Sequence, residues 1–391
     1  MKISFYCIPL LLLGLYSFNG HTRIYYGHMR LSESHVLPLQ IQIQNNDFYI
    51  INGLEIIPLQ RRIVPNTDSI DLVFPFFNSY LRCKIKRRTM VGYWQNLQKE
   101  NYRIPFFVEK KKNKTTSAEV SIQGKWSATF STENNPYSAV GIFESRGSQI
   151  FGTFLTETGD YRYLSGYAKN DSLYLATFNG SHAFLFIAKI NGDSLNGVFF
   201  SGKHHKTNWI AYKNDNAELQ NPYNLTKVDA SQKVRFTFPD VYGNFYSFPN
   251  HINKNKVTVI MLMGTWCPNC IDEAHFFKTV RDKYGKDQLE IIAVCYEVSD
   301  SDEKRREAVQ KMINQNKFDF TFLVAGKASK MLANQHFPML NHVMSFPTTL
   351  YLDKNGNVSK IYTGFYGPAT GVYYENYTKE TFKLLEELIG E

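Results

Sequence analysis

The chain has 391 residues, with 44 Lys and Arg against 35 Asp and Glu, a formal charge of +9. Apolar residues at 43% and charged residues at 20% exclude a disordered chain, a collagen and a disulfide-dense mini-protein. At roughly 150 residues per domain, the length holds two or three domains. The excess charge is local: residues 228–391 carry 19 basic and 19 acidic side chains, whereas 82–114 alone carry 11 basic and 2 acidic. That placement describes a solvated basic face and a charged hairpin tip. Its functional reading is contact with membrane phosphates or an acidic partner, and no motif beside it indicates nucleic-acid binding.

The N-terminus is Met1-Lys2 followed by an apolar run over 3–18. One positive charge and a run of roughly 16 apolar residues fit a secretory signal peptide. The run is short for a spanning helix, which needs about 20. The small-residue pattern around Ser17, Asn19 and Gly20 is poor, so an uncleaved N-terminal anchor stays open over 1–20. Either way the chain is expected to be exported, to the periplasm or cell envelope. Four cysteines lie beyond that segment: Cys83, Cys267, Cys270 and Cys295. Cys295 ends the apolar run 289–295 and reads as a small core residue. The sequence does not assign Cys83.

Residues 21–212 alternate apolar and polar positions, as in Leu39-Gln-Ile41-Gln-Ile43, with turn signals such as Asn52-Gly53 and Asn179-Gly180. Short strands with this punctuation predict an all-β domain, an antiparallel barrel or sandwich. Gly124-Lys-Trp126 opens a strand in a manner faintly similar to a lipocalin-type barrel. Residues 213–232 are polar and turn-rich and read as a linker. From 233 onward the texture changes. A hairpin is expected over 234–248, and buried strands over 257–263, 289–295 and 318–324. Helices are expected over 268–284, 302–315 and 379–389, and a second hairpin over 348–362. This alternation describes a small α/β sheet over 233–391.

The strongest chemical signal is Gly264-Thr265-Trp266-Cys267-Pro268-Asn269-Cys270, directly after a buried strand and opening a helix. The first cysteine then sits at a helix N-terminus, where unpaired N–H groups stabilise a thiolate. The second lies one turn on, within reach of a mixed disulfide. Pro268 suits the first helical position, since its missing N–H has no intrahelical acceptor to lose. Trp266 is placed to shield the pair. The same spacing also serves half a zinc site or a purely structural disulfide. No second Cys-x-x-Cys or His pair is present to complete a zinc site, so no metal or other cofactor is expected.

With these residues, 233–391 resembles a thioredoxin-fold domain of the TlpA/ResA-like thiol:disulfide oxidoreductases. Three elements carry the resemblance: the Trp266–Cys270 motif, Glu273 three residues after the second cysteine, and Ser345-Phe346-Pro347-Thr348-Thr349 at the start of a later strand. The resemblance implies that Cys267 attacks, that Cys270 resolves and that Glu273 moves protons. It also implies that Pro347 is a cis proline, with Trp266, Phe346, Pro347 and Thr348 docking a substrate strand. Substrates would be protein dithiols or disulfides, and a membrane-bound electron donor would feed a reductase. The chain departs from the pattern at His275, where the family usually has proline, so the helix should lack a kink there. It departs from thioredoxin itself at Met261, where a buried acid is usual. Two other functions stay open: an envelope binding module whose β-rich domain recognises a ligand or surface, and a thiol peroxidase, for which no Thr-x-x-Cys signature is present.

Overall fold

The structure is a computed structural model that describes residues 22–110, 120–131, 135–229, 231–250 and 255–390. Strands β1–β8, between Arg23 and Glu109, form a closed antiparallel barrel. Closure comes from β1 (Arg23–Arg30) pairing with β8 (Arg103–Glu109), Gly27 facing Val108. The alternation seen in the sequence is the pleat of β2 (Val36–Gln44), whose Leu37, Leu39, Ile41 and Ile43 turn inward. Strands β9–β17 follow, between Gly124 and Lys213, and form a second ring. Here β10 (Tyr137–Arg146) pairs with both β9 (Gly124–Ser131) and β11 (Gln149–Thr156), which closes it. Its interior is aromatic, with Trp126, Phe130, Phe154, Phe186 and Trp209 buried together. The stretch 21–212, expected as one β-rich domain, thus holds two closed barrels. Alternation and turns are alike in both, and only the long-range closing pairs separate them.

The barrels lock together at the hairpin between β14 (Ser172–Phe178) and β15 (Ala183–Asn191). Asn52 Nδ2 donates to the Phe178 carbonyl at 2.9 Å, and the Phe178 N–H donates to Asn52 Oδ1 at 3.0 Å. Ser79 Oγ donates to the Gly180 carbonyl at 2.6 Å. Gly180 has φ +90°, and a Cβ there would stand 2.3 Å from the Phe74 ring, so only glycine fits this approach. The stretch 213–232 is not a free linker. Leu225 and Thr226 are buried, Thr363 Oγ1 donates to Thr226 Oγ1, and Val228 bridges Leu340.

The C-terminal part starts with a hairpin of β18 (Phe236–Pro239) and β19 (Phe245–Phe248). Its sheet contains β20 (Val257–Met263), β21 (Leu289–Glu297), β22 (Thr321–Lys327), β23 (Thr348–Leu352) and β24 (Val358–Thr363). The order is β22-β21-β20-β23-β24, with β20, β21 and β22 parallel and β23 antiparallel to β20. Central β20 is buried at every position, which explains its unbroken apolar run. The helices are α1 (Pro268–Gln288), α2 (Asp302–Asn316), α3 (Lys330–His336) and α4 (Val372–Gly390). Short α3 was not expected, and α4 starts at Val372 rather than 379. Helix α1 runs unbroken through His275 and leaves helical geometry only at Gly285.

The basic stretch 82–110 does not form one surface. Arg82 turns onto buried Asp71 at 2.7 Å, while 84–88 form the exposed tip of the hairpin between β6 (Ser79–Lys86) and β7 (Thr89–Asn96). Lys111, Lys112 and Lys114, and the segment 1–20, lie outside the described residues. Among the described residues no helix is long and apolar enough to cross a membrane.

Candidate active site

Strand β20 delivers the chain to the loop 264–267, and α1 begins at Pro268. Cys267 is the helix N-cap, in extended conformation, and the Cys270 N–H points at its Sγ from 3.2 Å. Cys267 and Cys270 are joined as a disulfide with a Cα–Cα distance of 5.3 Å. A thiolate released at Cys267 would therefore sit on the free N–H groups and positive end of α1. Cys267 keeps 6% of its surface exposed and Cys270 none, so Cys267 is the sulfur a substrate can reach. Cys83 and Cys295 are free, buried thiols in the core, with burial pushing Cys83 up to about 12.

The loop is held from three directions. The Thr265 N–H and Oγ1 donate to Glu297 at 2.8 and 2.6 Å. Trp266 Nε1 donates to the Tyr296 carbonyl at 2.9 Å. Ser181 of the second barrel donates to the Trp266 carbonyl at 3.0 Å. Opposite the disulfide, the Phe346–Pro347 peptide is cis, and the Phe346 carbonyl oxygen lies 3.5 Å from Cys267 Sγ. The Phe346 ring stacks on Tyr296 and meets Trp266 edge-on. Thr348 was expected to touch substrate. It is fully buried, with its hydroxyl donating to the Ser345 carbonyl at 2.8 Å, so its part is to hold the loop.

Glu273 lies one turn after Cys270 on the same face of α1. It is fully buried and accepts from Thr349 Oγ1 at 2.9 Å and the Tyr377 hydroxyl at 3.1 Å. Burial pushes it up to about 8, against the pull of those two hydrogen bonds. At neutral pH it therefore holds a proton next to the dithiol helix turn. His275 is a packing residue, its ring meeting Phe76 of the first barrel and Phe318 edge-on. Met261 is buried in the core beneath the site.

With that geometry in view, comparisons with known proteins agree. Residues 228–371 match the Redoxin family. YneN of Bacillus subtilis (strain 168), named a thioredoxin-like protein, is 27% identical over 111 residues, 28% of this chain and 58% of YneN. ResA of Geobacillus thermodenitrificans (strain NG80-2), named a thiol-disulfide oxidoreductase, is 28% identical over 131 residues, 33% of this chain and 66% of ResA. Residues 228–371 thus form a thioredoxin-fold domain similar to the ResA-type thiol-disulfide oxidoreductases. The chain thus spans 58% and 66% of the lengths of these two relatives. The crystal structure of StoA from Bacillus subtilis is also similar, at 22% identity over 39% of this chain and 99% of StoA, with a TM-score of 0.28.

Several residues of this thioredoxin-superfamily site were not read from the sequence. Glu297 was legible in principle, as a charge closing the buried run of β21. Burial pushes it up to about 7. Thr349 and Tyr377 matter only through Glu273, and Asp160, Arg162 and Ser181 come from the second barrel, where nothing in the local pattern sets them apart.

Proposed function

We propose that the chain is an exported thiol:disulfide oxidoreductase that reduces protein disulfides by dithiol exchange. The observation that carries this reading is Cys267 at the N-cap of α1, with the Cys270 N–H on its sulfur. In the reduced enzyme the Cys267 thiolate attacks one sulfur of a substrate disulfide. The Cys267–substrate bond forms, the substrate S–S bond breaks, and the first substrate sulfur leaves as a thiolate. Cys270 then gives up its proton and attacks Cys267 Sγ, releasing the second substrate sulfur. The substrate gains two electrons and the enzyme ends as the Cys267–Cys270 disulfide. A dithiol donor, membrane-bound in the cell, restores it.

Glu273 is the proton carrier for Cys270: its ionised form takes the thiol proton as Cys270 attacks, and burial, which pushes the carboxyl up to about 8, makes it a stronger base than an exposed glutamate. Trp266, Phe346 and Pro347 form the docking face for the substrate backbone, and Thr348 fixes the loop behind them. Insulin reduction by dithiothreitol tests the reading: the wild-type chain should accelerate it and Cys267→Ser should abolish the acceleration, while an inactive wild type contradicts it. The direction is read from the reduction potential. A reductase lies near thioredoxin's value of about −270 mV, whereas a value near −120 mV reverses the assignment.

A further inference from the structure

The turn over 157–163 of the second barrel sits on the N-terminal end of α1. Asn269, between the two cysteines, donates to the Asp160 carbonyl at 3.3 Å. Gly159 makes this approach possible, since a Cβ there would stand 2.2 Å from Asn269 Nδ2. Asp160 Oδ2 accepts from the Gly367 N–H at 2.7 Å, and Asp160 Oδ1 accepts from the Arg162 N–H at 2.6 Å. Arg162 then reaches two other modules at once: Glu55 of the first barrel at 2.6 Å, and Asp272 of α1. The three side chains of this clasp are 13%, 12% and 21% exposed, so it is largely shielded from solvent.

The clasp holds one wall of the space in front of Cys267. That space is a cleft of 230 Å³ between Tyr161, His182 and Phe184 of the barrel and Trp266, Cys267 and Phe346 of the thioredoxin-superfamily domain. The His182 ring stacks on Phe184 at 4.6 Å, and burial holds its imidazole neutral, pushed down to about 3. The rings of this wall are therefore uncharged, and the two charged residues that also line the cleft, Asp160 and Arg162, are already engaged within the clasp. The cleft is smaller than the roughly 300–1,000 Å³ of an ordinary small-molecule site. It has room for little more than one large side chain beside an extended backbone.

We propose that the second barrel is the specificity wall of this enzyme, and that it admits an extended polypeptide segment with an aromatic or apolar residue next to its cysteine. This rests on the dithiol-exchange reading above. A disulfide lying flush on a folded surface cannot approach Cys267 past Tyr161 and Phe184, whereas a strand can lie along Phe346 with one side chain seated on the aromatic wall. An acidic or basic neighbour would lose its hydration there without a free partner, since Arg162 is taken by Glu55 and Asp272 and Asp160 by the Gly367 N–H.

The test uses the full chain, reduced with dithiothreitol and desalted. It is mixed with two linear peptides that differ only in the residue beside their cysteine, Phe or Asp, each as a mixed disulfide with 5-thio-2-nitrobenzoate. Single-turnover rates should favour the Phe peptide by about tenfold in the wild type. Phe184→Ala and His182→Ala should each bring the two rates together, with circular dichroism reporting that the variants are folded. Equal rates in the wild type, or a preference that survives both substitutions, overturns the proposal. A wild type that reacts with neither peptide, although its cysteines are reduced, refutes the dithiol-exchange reading instead.

Discussion

The two sides of Cys267 are built on different electrostatic terms. Behind it, within the thioredoxin-fold domain, Glu273 and Glu297 are buried with hydroxyl and N–H donors and, among the described residues, form no ion pair, although Arg305 pulls Glu297 down through space. Burial therefore pushes both upward, to about 8 and about 7, and the solution is to keep the proton. In front of it, the barrel places one guanidinium, Arg162, among Glu55, Asp160 and Asp272. Burial pushes Asp160 and Asp272 up while Arg162 pulls them down. One cation among three carboxylates gives the joint its ion pairs, yet burial outweighs it at both aspartates, leaving Asp160 raised and Asp272 pushed up to about 7. In the proposed mechanism the rear supplies the proton carrier, and the front holds a wall.

The sharpest way to separate the two sides is pH. Glu273 titrates near 4.5 when unfolded and about 8 when folded, so between those values the native state binds more protons. Its contribution to stability is complete below pH 4.5 and is lost as pH rises through about 8, a change of several kcal/mol at about 1.4 kcal/mol per pH unit. Melting temperature measured across that window should fall more steeply in the wild type than in Glu273→Gln. Parallel curves would remove Glu273 from the rear. In the same variant the pH profile of Cys267 and Cys270 alkylation should shift, and an unchanged profile removes its proton role.

Next in size is the front. Arg162→Ala leaves three carboxylates without their cation and should cost about 3–5 kcal/mol in urea unfolding. Loss of less than about 1 kcal/mol would mean that the clasp is an exposed surface pair. Glu297→Ala strands the Thr265 N–H and hydroxyl and should cost about 2 kcal/mol. Because it frees the loop before Cys267, alkylation of the reduced thiol should also change, whereas unchanged reactivity would show that the loop is held without it. Ser181→Ala removes one hydrogen bond between barrel and loop, an effect of about 1 kcal/mol. A result much larger would mean that this single contact seats the barrel.

The same division separates what could be read from the sequence. Cys267, Pro268, Cys270 and Glu273 lie within one helix, so their order along the chain already gives their relative positions. The strand runs over 257–263 and 348–352 were legible because β20 and β23 are buried on both faces. The front wall was not, because it depends on how one barrel closes and where it rests. Arg162 is an ordinary arginine in a Tyr-Arg-Tyr stretch until β11 and β13 (Leu164–Lys169) pair and turn it toward Asp272. Closure of two barrels rather than one was hidden for the same reason. At Thr348 the strand turns the side chain inward onto the Ser345 carbonyl, an orientation that the motif alone does not give.

In the proposed mechanism Cys267 is the sulfur that meets the substrate. The most direct measurement is to incubate Cys270→Ser, in the otherwise complete chain, with an unfolded protein that carries a disulfide and to locate the trapped bond by peptide mass. A mixed disulfide on Cys267 and on no other cysteine is the predicted result. No adduct, or one carried by Cys83 or Cys295, contradicts the account.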